Sequence, residues 1–339
     1  MVPTVALLLL CLLSTPAEAR IKKRAASARN IKQAQALPAT LNPALIDDRA
    51  ETSTVGPDTT GETVIRVQVL LDRAHFSPGE IDGRFGPNLL IAISGFQRSR
   101  KLPDTGVVDA STWAALNADT APVIASHTIT KEDVSGPFEK IPPDMMEKAT
   151  LKSLGYESPL EALAEKFHVN PRILAKLNPG KAFERAGEQL AVPNVTRSPL
   201  SPATAVFVDG KYLTVSALDA SGNVLAQYPA TAGSEHDPLP VGQWKILGVV
   251  RNPKFRYNPD LFWDADPAHS KAILPPGPNS PVGVVWIDLS KEHYGIHGTP
   301  EPSRVGHTQS HGCIRLTNWD AAELAGAVKR GTPAVLEKR

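Results

Sequence analysis

Along the first half of the chain, apolar residues return every three or four positions, the signature of helices buried on one face. Val64, Val67, Leu70 and Leu71 form one such stripe. The turn Ser77-Pro78-Gly79 and the loop Asp82-Gly83-Arg84-Phe85-Gly86-Pro87 follow, and Leu89 to Arg100 reads as a second helix. Asp109 or Ser111 is placed to cap a third, short helix carrying Trp113 and Leu116. Phe85, Phe96 and Trp113 are the expected core of this small bundle. Further on, Leu163 and Phe167 stand four apart in Glu161 to Phe167, and Ile173, Leu174 and Leu177 mark a helix from Pro171 to Leu177. That helix stops at Asn178-Pro179-Gly180, and Gly187 to Val192 then reads as an edge strand ending at Pro193.

Beyond Ala203 the period shortens. Val206 to Val208, Tyr212 to Leu218, Val224 to Tyr228, Gly242 to Val250 and Gly283 to Leu289 are β-branched runs parted by turns such as Asp209-Gly210 and Ser221-Gly222-Asn223. Closely spaced strands of this kind predict a β-sandwich or barrel. Between Arg251 and Val282 lie seven prolines together with Phe255, Tyr257, Phe262 and Trp263. So long an irregular stretch is either a disordered insert or a lid, and the aromatics favour the lid. One helix closes the chain, capped by Thr317 or Asn318, with Ala321 to Val328 as its body and Lys329, Arg330 and Gly331 as its end.

The ends and the composition narrow the setting. Val5 to Ser14 is a short apolar run followed by Ala17-Glu18-Ala19, an A-x-A cleavage pattern, so residues 1–19 read as a secretory signal peptide. The run is about half the length a bilayer span needs, and no stable membrane insertion is expected after cleavage. Met1-Val2-Pro3-Thr4 lacks the usual basic residue, and an uncleaved anchor is the alternative. Residues 20–61 look loop-like, with Arg20, Lys22, Lys23, Arg24, Arg29 and Lys32 near the start. They read as a flexible basic linker, solvated or touching an anionic polymer. Residues 119–150, with Gly136-Pro137 and Ile141-Pro142-Pro143 as breakers, read as a second linker. With 36 Lys and Arg against 35 Asp and Glu, the charge balance gives no support for nucleic-acid binding.

The chain has two cysteines, and Cys11 lies in the leader, so Cys313 stands alone in the mature protein. It sits in Ser310-His311-Gly312-Cys313-Ile314-Arg315-Leu316, with His297-Gly298-Thr299 upstream. A lone thiol with nearby histidines in an exported protein reads as a nucleophile, since a thiol near pKa 8.5 needs a cationic or proton-accepting neighbour. His311, two residues before Cys313, would share its face along an extended segment, and His297 would reach it from a neighbouring strand. The bland reading is an inert buried cysteine. His293 and His297 are four apart, as are His307 and His311, which is also zinc spacing. Gly295, Gly298, Pro300 and Pro302 oppose a helix across the first pair, so no metal is expected.

Three stretches resemble known families. Val67-Gln68, Phe76-x-Pro78-Gly79-x-Ile81-Asp82-Gly83-x-Phe85-Gly86-Pro87, Phe96-Gln97, Thr105-Gly106-x-Val108-Asp109 and Thr112-Trp113-x-x-Leu116 look like the peptidoglycan-binding type 1 domain. Phe167-x-Val169, Leu174-x-x-Leu177-Asn178-Pro179 and Gly187-x-x-Leu190-x-Val192-Pro193 resemble a LysM domain, although Glu157-Ser158-Pro159 replaces its usual opening turn. Tyr294-Gly295-Ile296-His297-Gly298-Thr299 with Ser310-His311-Gly312-Cys313-Ile314-Arg315-Leu316 resembles the YkuD-type L,D-transpeptidase catalytic domain.

The resemblance implies a multidomain α+β chain. A helical bundle (62–118) would be followed by a βααβ unit (151–195) and a mainly β catalytic domain (203–338). It implies Cys313 as nucleophile, His297 as general base and the Gly298 carbonyl as its orienter. His311 and Gly312 would help form an oxyanion pocket that Ser310 supports. Arg315 would meet a substrate carboxylate, and Tyr294 lines the site. The implied partner is peptidoglycan in the periplasm or cell envelope, with no cofactor. Carboxypeptidase action with water as acceptor, attachment of a protein lysine to the wall, a non-catalytic wall-binding scaffold and an ordinary cysteine peptidase are the rival readings.

Overall fold

The computed structural model describes residues 37–338. The proposed signal peptide and the basic run before Leu37 lie outside them. Three helices form the first module: α1 (Glu62–Arg73), α2 (Pro87–Ser99) and α3 (Ala110–Leu116). Phe85, Phe96 and Trp113 are buried at its centre, as their spacing predicts. Asp109 caps α3 by accepting from the Thr112 N–H at 2.8 Å. Two buried glutamines hold the loops. Gln68 accepts from the N–H groups of Asp82 and Gly83, and Gln97 from those of Thr105 and Gly106. The expected linker 20–61 is packed over its second half. Leu41, Ile46 and Val55 are buried, and Arg49 donates to the carbonyls of Asn117 and Asp119. Burial of those three apolar side chains explains why the segment is not free.

The second expected linker, 119–150, is also corrected. Its start is strand β1 (Ile124–Thr128), antiparallel to β2 (Gln189–Pro193), and its end is helix α4 (Met145–Thr150). With α5 (Pro159–Lys166) and α6 (Pro171–Leu177) between the strands, the unit is βααβ, but it begins near residue 124 rather than 151. A long excursion, residues 129–158, separates its first strand from α5. Polar, proline-broken sequence hides β1, whose side chains are mostly half-exposed.

The third module is a nine-stranded sheet. In chain order its strands are β3 (Ala205–Asp209), β4 (Thr214–Leu218), β5 (Val224–Pro229), β6 (Thr231–Ala232), β7 (Gly242–Arg251), β10 (Val285–Leu289), β11 (Gly295–His297), β12 (Ile314–Arg315) and β13 (Pro333–Glu337). The hydrogen-bonded order is β5-β4-β3-β13-β7-β10-β11-β12-β6. Its two edges, β5 and β6, are joined through Ala230 alone, so the sheet has to roll towards a barrel. Helix α7 (Asn318–Ala327), capped by Thr317, packs against β10 and β11. It ends earlier than expected, because Val328 is already extended.

Between β7 and β10 the proline-rich stretch is an ordered hairpin of β8 (Phe255–Tyr257) and β9 (Ala272–Leu274). It shares a small apolar core with the excursion, centred on Leu154, Tyr257 and Leu274. His269 bridges the two, between the Tyr257 hydroxyl at 2.9 Å and Asp144 at 2.7 Å.

The modules are closely joined. His75 to Ser77 lies along the edge of β5, with Ser77 N–H donating to the Gln227 carbonyl and Gln227 N–H to that of His75. Arg197 then bridges Asp72 of the first module and Glu323 of α7.

Candidate functional site

Strand pairing assembles the site. In the parallel ladder of β11 and β12, Ile296 faces Ile314 and His297 faces Arg315. Ile296 and Ile314 are fully buried towards the core. Alternation therefore turns His297 and Arg315 to the opposite face. By the same register Cys313 lies beside Gly295, whose backbone N–H hydrogen-bonds the thiol. The thiol itself donates to the His293 carbonyl at 3.7 Å.

His297 is buried at 3 % exposure, with its Nδ1 2.7 Å from the Gly298 carbonyl oxygen. A carbonyl can only accept, so Nδ1 carries the proton and Nε2 keeps its lone pair. Trp286, opposite His297 in the antiparallel pair of β10 and β11, stacks on the imidazole with centroids 5.3 Å apart. Burial, then the Arg315 charge, push the imidazole down to about 3. Burial likewise pushes the Cys313 thiol above its ordinary range, partly offset by the Gly295 N–H and by Arg315. Both shifts favour the uncharged forms of thiol and imidazole, and a neutral imidazole with its proton on Nδ1 leaves Nε2 able to accept one.

The loop before Cys313 is pinned. Ser310 Oγ donates to the Cys313 carbonyl at 2.6 Å and accepts from the Gly233 N–H at 2.7 Å. Gly312 has φ +91° and lies against the Tyr294 ring, which a Cβ would meet at 2.6 Å. Both facts require glycine there. Arg315 is half-buried, and no hydrogen bond or ion pair among the described residues holds its guanidinium.

His311 departs from the expected extended geometry. Residues 311–313 bend, and the strand begins only at Ile314. The His311 Nε2 lies 2.7 Å from Asp264 in the 251–282 stretch, and its ring sits 5.0 Å from Phe262 and 6.0 Å from Trp263. Trp263 stacks in turn on His236 at 4.5 Å. The hairpin therefore reaches the motif as a cover. His293 lies beside Glu292, and the described residues contain no cluster of three or more potential metal ligands. Trp286, Gly233 and Asp264 complete the site from distant strands and loops, and no local motif marks them.

Residues 203–336 match the model of the L,D-transpeptidase catalytic domain, and 60–116 match that of a putative peptidoglycan binding domain. The chain is 30% identical over 181 residues to the putative L,D-transpeptidase YkuD of Bacillus subtilis, covering 53% of this chain and 93% of that one. The chain belongs to the L,D-transpeptidase family. A second relative, the putative L,D-transpeptidase YkuD of Bacillus licheniformis, is 31% identical over 176 residues, 51% of this chain and 90% of that protein. Among solved structures, an L,D-transpeptidase from Xylanimonas cellulosilytica aligns at 17% identity and a TM-score of 0.36, covering 82% of this chain and 95% of that one. This L,D-transpeptidase is thus an acyl-transfer enzyme with a peptidoglycan-binding domain ahead of its catalytic domain, and both domains point to the cell wall. No helix of the described residues is long and apolar enough to cross a membrane.

Proposed function

We propose that Cys313 is the nucleophile of an L,D-transpeptidase acting on peptidoglycan stem tetrapeptides. The observation that carries the reading is the β11–β12 pairing: His297 faces Arg315 with its Nδ1 proton committed to the Gly298 carbonyl, and the Gly295 N–H of the same strand holds the Cys313 thiol. The Cys313 thiol gives its proton to His297 and attacks the carbonyl of the third stem residue. The C–N bond to the terminal D-alanine breaks, His297 returns the proton to that amine, and a thioester remains. An acceptor amine, such as a neighbouring stem's diaminopimelate side chain, attacks the thioester, loses a proton to His297 and frees the thiol, leaving a 3–3 cross-link. Backbone N–H groups around His311, Gly312 and Cys313 stabilise the oxyanion. Arg315, whose guanidinium no hydrogen bond or ion pair among the described residues holds, meets a carboxylate of the substrate. Tyr294 walls the site beside Gly312, and Ser310 keeps the loop in shape. The chemistry needs no cofactor and no metal.

The βααβ unit is read as LysM-like, a reading that its two antiparallel strands with α5 and α6 between them support. Export to the periplasm or cell envelope is the reading that the Ala17-Glu18-Ala19 pattern and a wall substrate support. The test is intact mass of the mature protein mixed with purified disaccharide-tetrapeptide, beside Cys313→Ala, with products resolved by chromatography. A Cys313-dependent acyl adduct and 3–3 dimers are expected. Tripeptide alone would make water the acceptor, and turnover by Cys313→Ala would overturn the assignment.

A further inference from the structure

Asn318, the first residue of α7, is wedged between two glycines of the catalytic domain. A Cβ at Gly298 would lie 2.1 Å from its Oδ1, and one at Gly283 would lie 2.0 Å away. Asn318 therefore packs directly on the peptide whose carbonyl holds His297 Nδ1. Its own amide is fully engaged. Oδ1 accepts from the Val284 N–H at 3.1 Å, while Nδ2 donates to the Pro278 carbonyl at 3.1 Å and to both Glu165 oxygens, at 3.2 and 3.0 Å. Glu165 does not belong to the catalytic domain. It sits on α5 of the βααβ unit and also accepts from the Tyr156 hydroxyl at 2.9 Å. A neighbouring contact, Asn279 Nδ2 to Glu161 at 2.8 Å, joins the same two modules without touching Gly298.

We infer that Glu165 is a positioning residue for acyl transfer: through Asn318 it locks the Gly298 peptide that fixes the His297 tautomer. The inference rests on the reading of His297 as base given above. Its consequence is that the βααβ unit is part of the catalytic machinery and not only an attachment device. A rotated Gly298 carbonyl would release Nδ1, populate the other tautomer and remove the lone pair from Nε2. Losses from a wrong tautomer or a misplacement of about 1 Å are of the order of 10²-fold or more.

The experiment uses the full mature chain with purified disaccharide-tetrapeptide. It compares Glu165→Met, which keeps length but removes the acceptor, with Glu165→Gln, which keeps one acceptor oxygen, and with Glu161→Met, which removes the acceptor of the neighbouring contact. Readouts are kcat and KM separately, the melting temperature, and the His297 tautomer from ¹⁵N spectra. Glu165→Met is expected to lose about 10–10²-fold in kcat with KM within about 2-fold, and to show a mixed His297 tautomer. Glu165→Gln should recover to within about 3-fold with the Nδ1–H tautomer intact, and Glu161→Met should keep wild-type kcat and tautomer. A Glu165→Met protein with wild-type kcat and tautomer overturns the inference, as does an equal kcat loss in Glu161→Met. Should Glu165→Met fail to fold, Asn318→Ser tests the same link by the same readouts. Turnover surviving in Cys313→Ala would instead remove the nucleophile assignment, an outcome separate from the tautomer signal.

Discussion

At Cys313 and His297 the burial of the pair decides its protonation. Both groups lose water, which disfavours charge on either, and the Arg315 charge opposes a proton on His297 while favouring the thiolate. The imidazole, pushed down to about 3, stays neutral throughout the working range. Iodoacetamide alkylation of Cys313 should therefore be slow at pH 7 and climb with pH beyond the range of an ordinary thiol. A preformed thiolate–imidazolium pair would instead react fully near pH 6, and finding that would overturn the neutral-pair account. The motif itself stands out in the chain as a lone cysteine, a spaced histidine and the glycines around them. The contacts of His311 do not, because its Asp264 partner comes from a segment 47 residues away.

Among elements, the lid shows how much context adds. Proline and aromatic residues between Arg251 and Val282 pointed to a cover, but nothing in that stretch says what it rests on. The support is α4, from the segment whose breakers made it look like a linker, together with Leu154 just beyond it. Leu154 is fully buried, its N–H donates to the Pro276 carbonyl, and its own carbonyl accepts from Asn279. Leu154→Ala should cost the hairpin about 2–5 kcal/mol. Limited proteolysis should then cut between Phe255 and Leu274 faster than in wild type, with the sheet core still protected from hydrogen exchange. Equal cleavage rates would mean that the hairpin is held by its own pairing. Strand β1 escaped the sequence reading for a related reason. Half-exposed on a two-stranded sheet, it lacks a clean alternation, and only its partner β2 defines it.

Across the whole molecule, charge is buried where modules meet. Burial pushes Asp320 up to about 8, and the Arg197 charge lowers it only in part. Burial also raises Glu165 and Glu80 to about 7 each. Between an unfolded carboxyl value near 4 and these folded values, the folded state keeps protons that the unfolded state has lost. Stability from these groups is thus complete below about pH 4 and lost as pH rises through 7–8. Asp72 has the opposite sign. Burial pushes it up, but the charges of Arg197 and His168 outweigh that and hold it below its usual range. Its contribution is present above about pH 4 and lost in acid. Melting temperature should peak in mild acid and fall towards pH 9, and Asp320→Asn should flatten the alkaline fall. An unchanged alkaline slope in that variant would remove Asp320 from the account.

The sequence by itself determined the elements whose information is local: helical stripes, capping residues, β-branched runs, and a motif of neighbouring residues around Cys313 and His297. Those depend on interactions within a few residues or within one strand, so a linear pattern carries them. Only the tertiary structure decided which distant groups complete them. Glu165 lies 153 residues from Asn318, and Ser77 lies 243 residues from Asp320. Such contacts follow from how packed modules exclude water and satisfy buried polar groups, a property of the assembled surfaces that no short stretch of chain encodes.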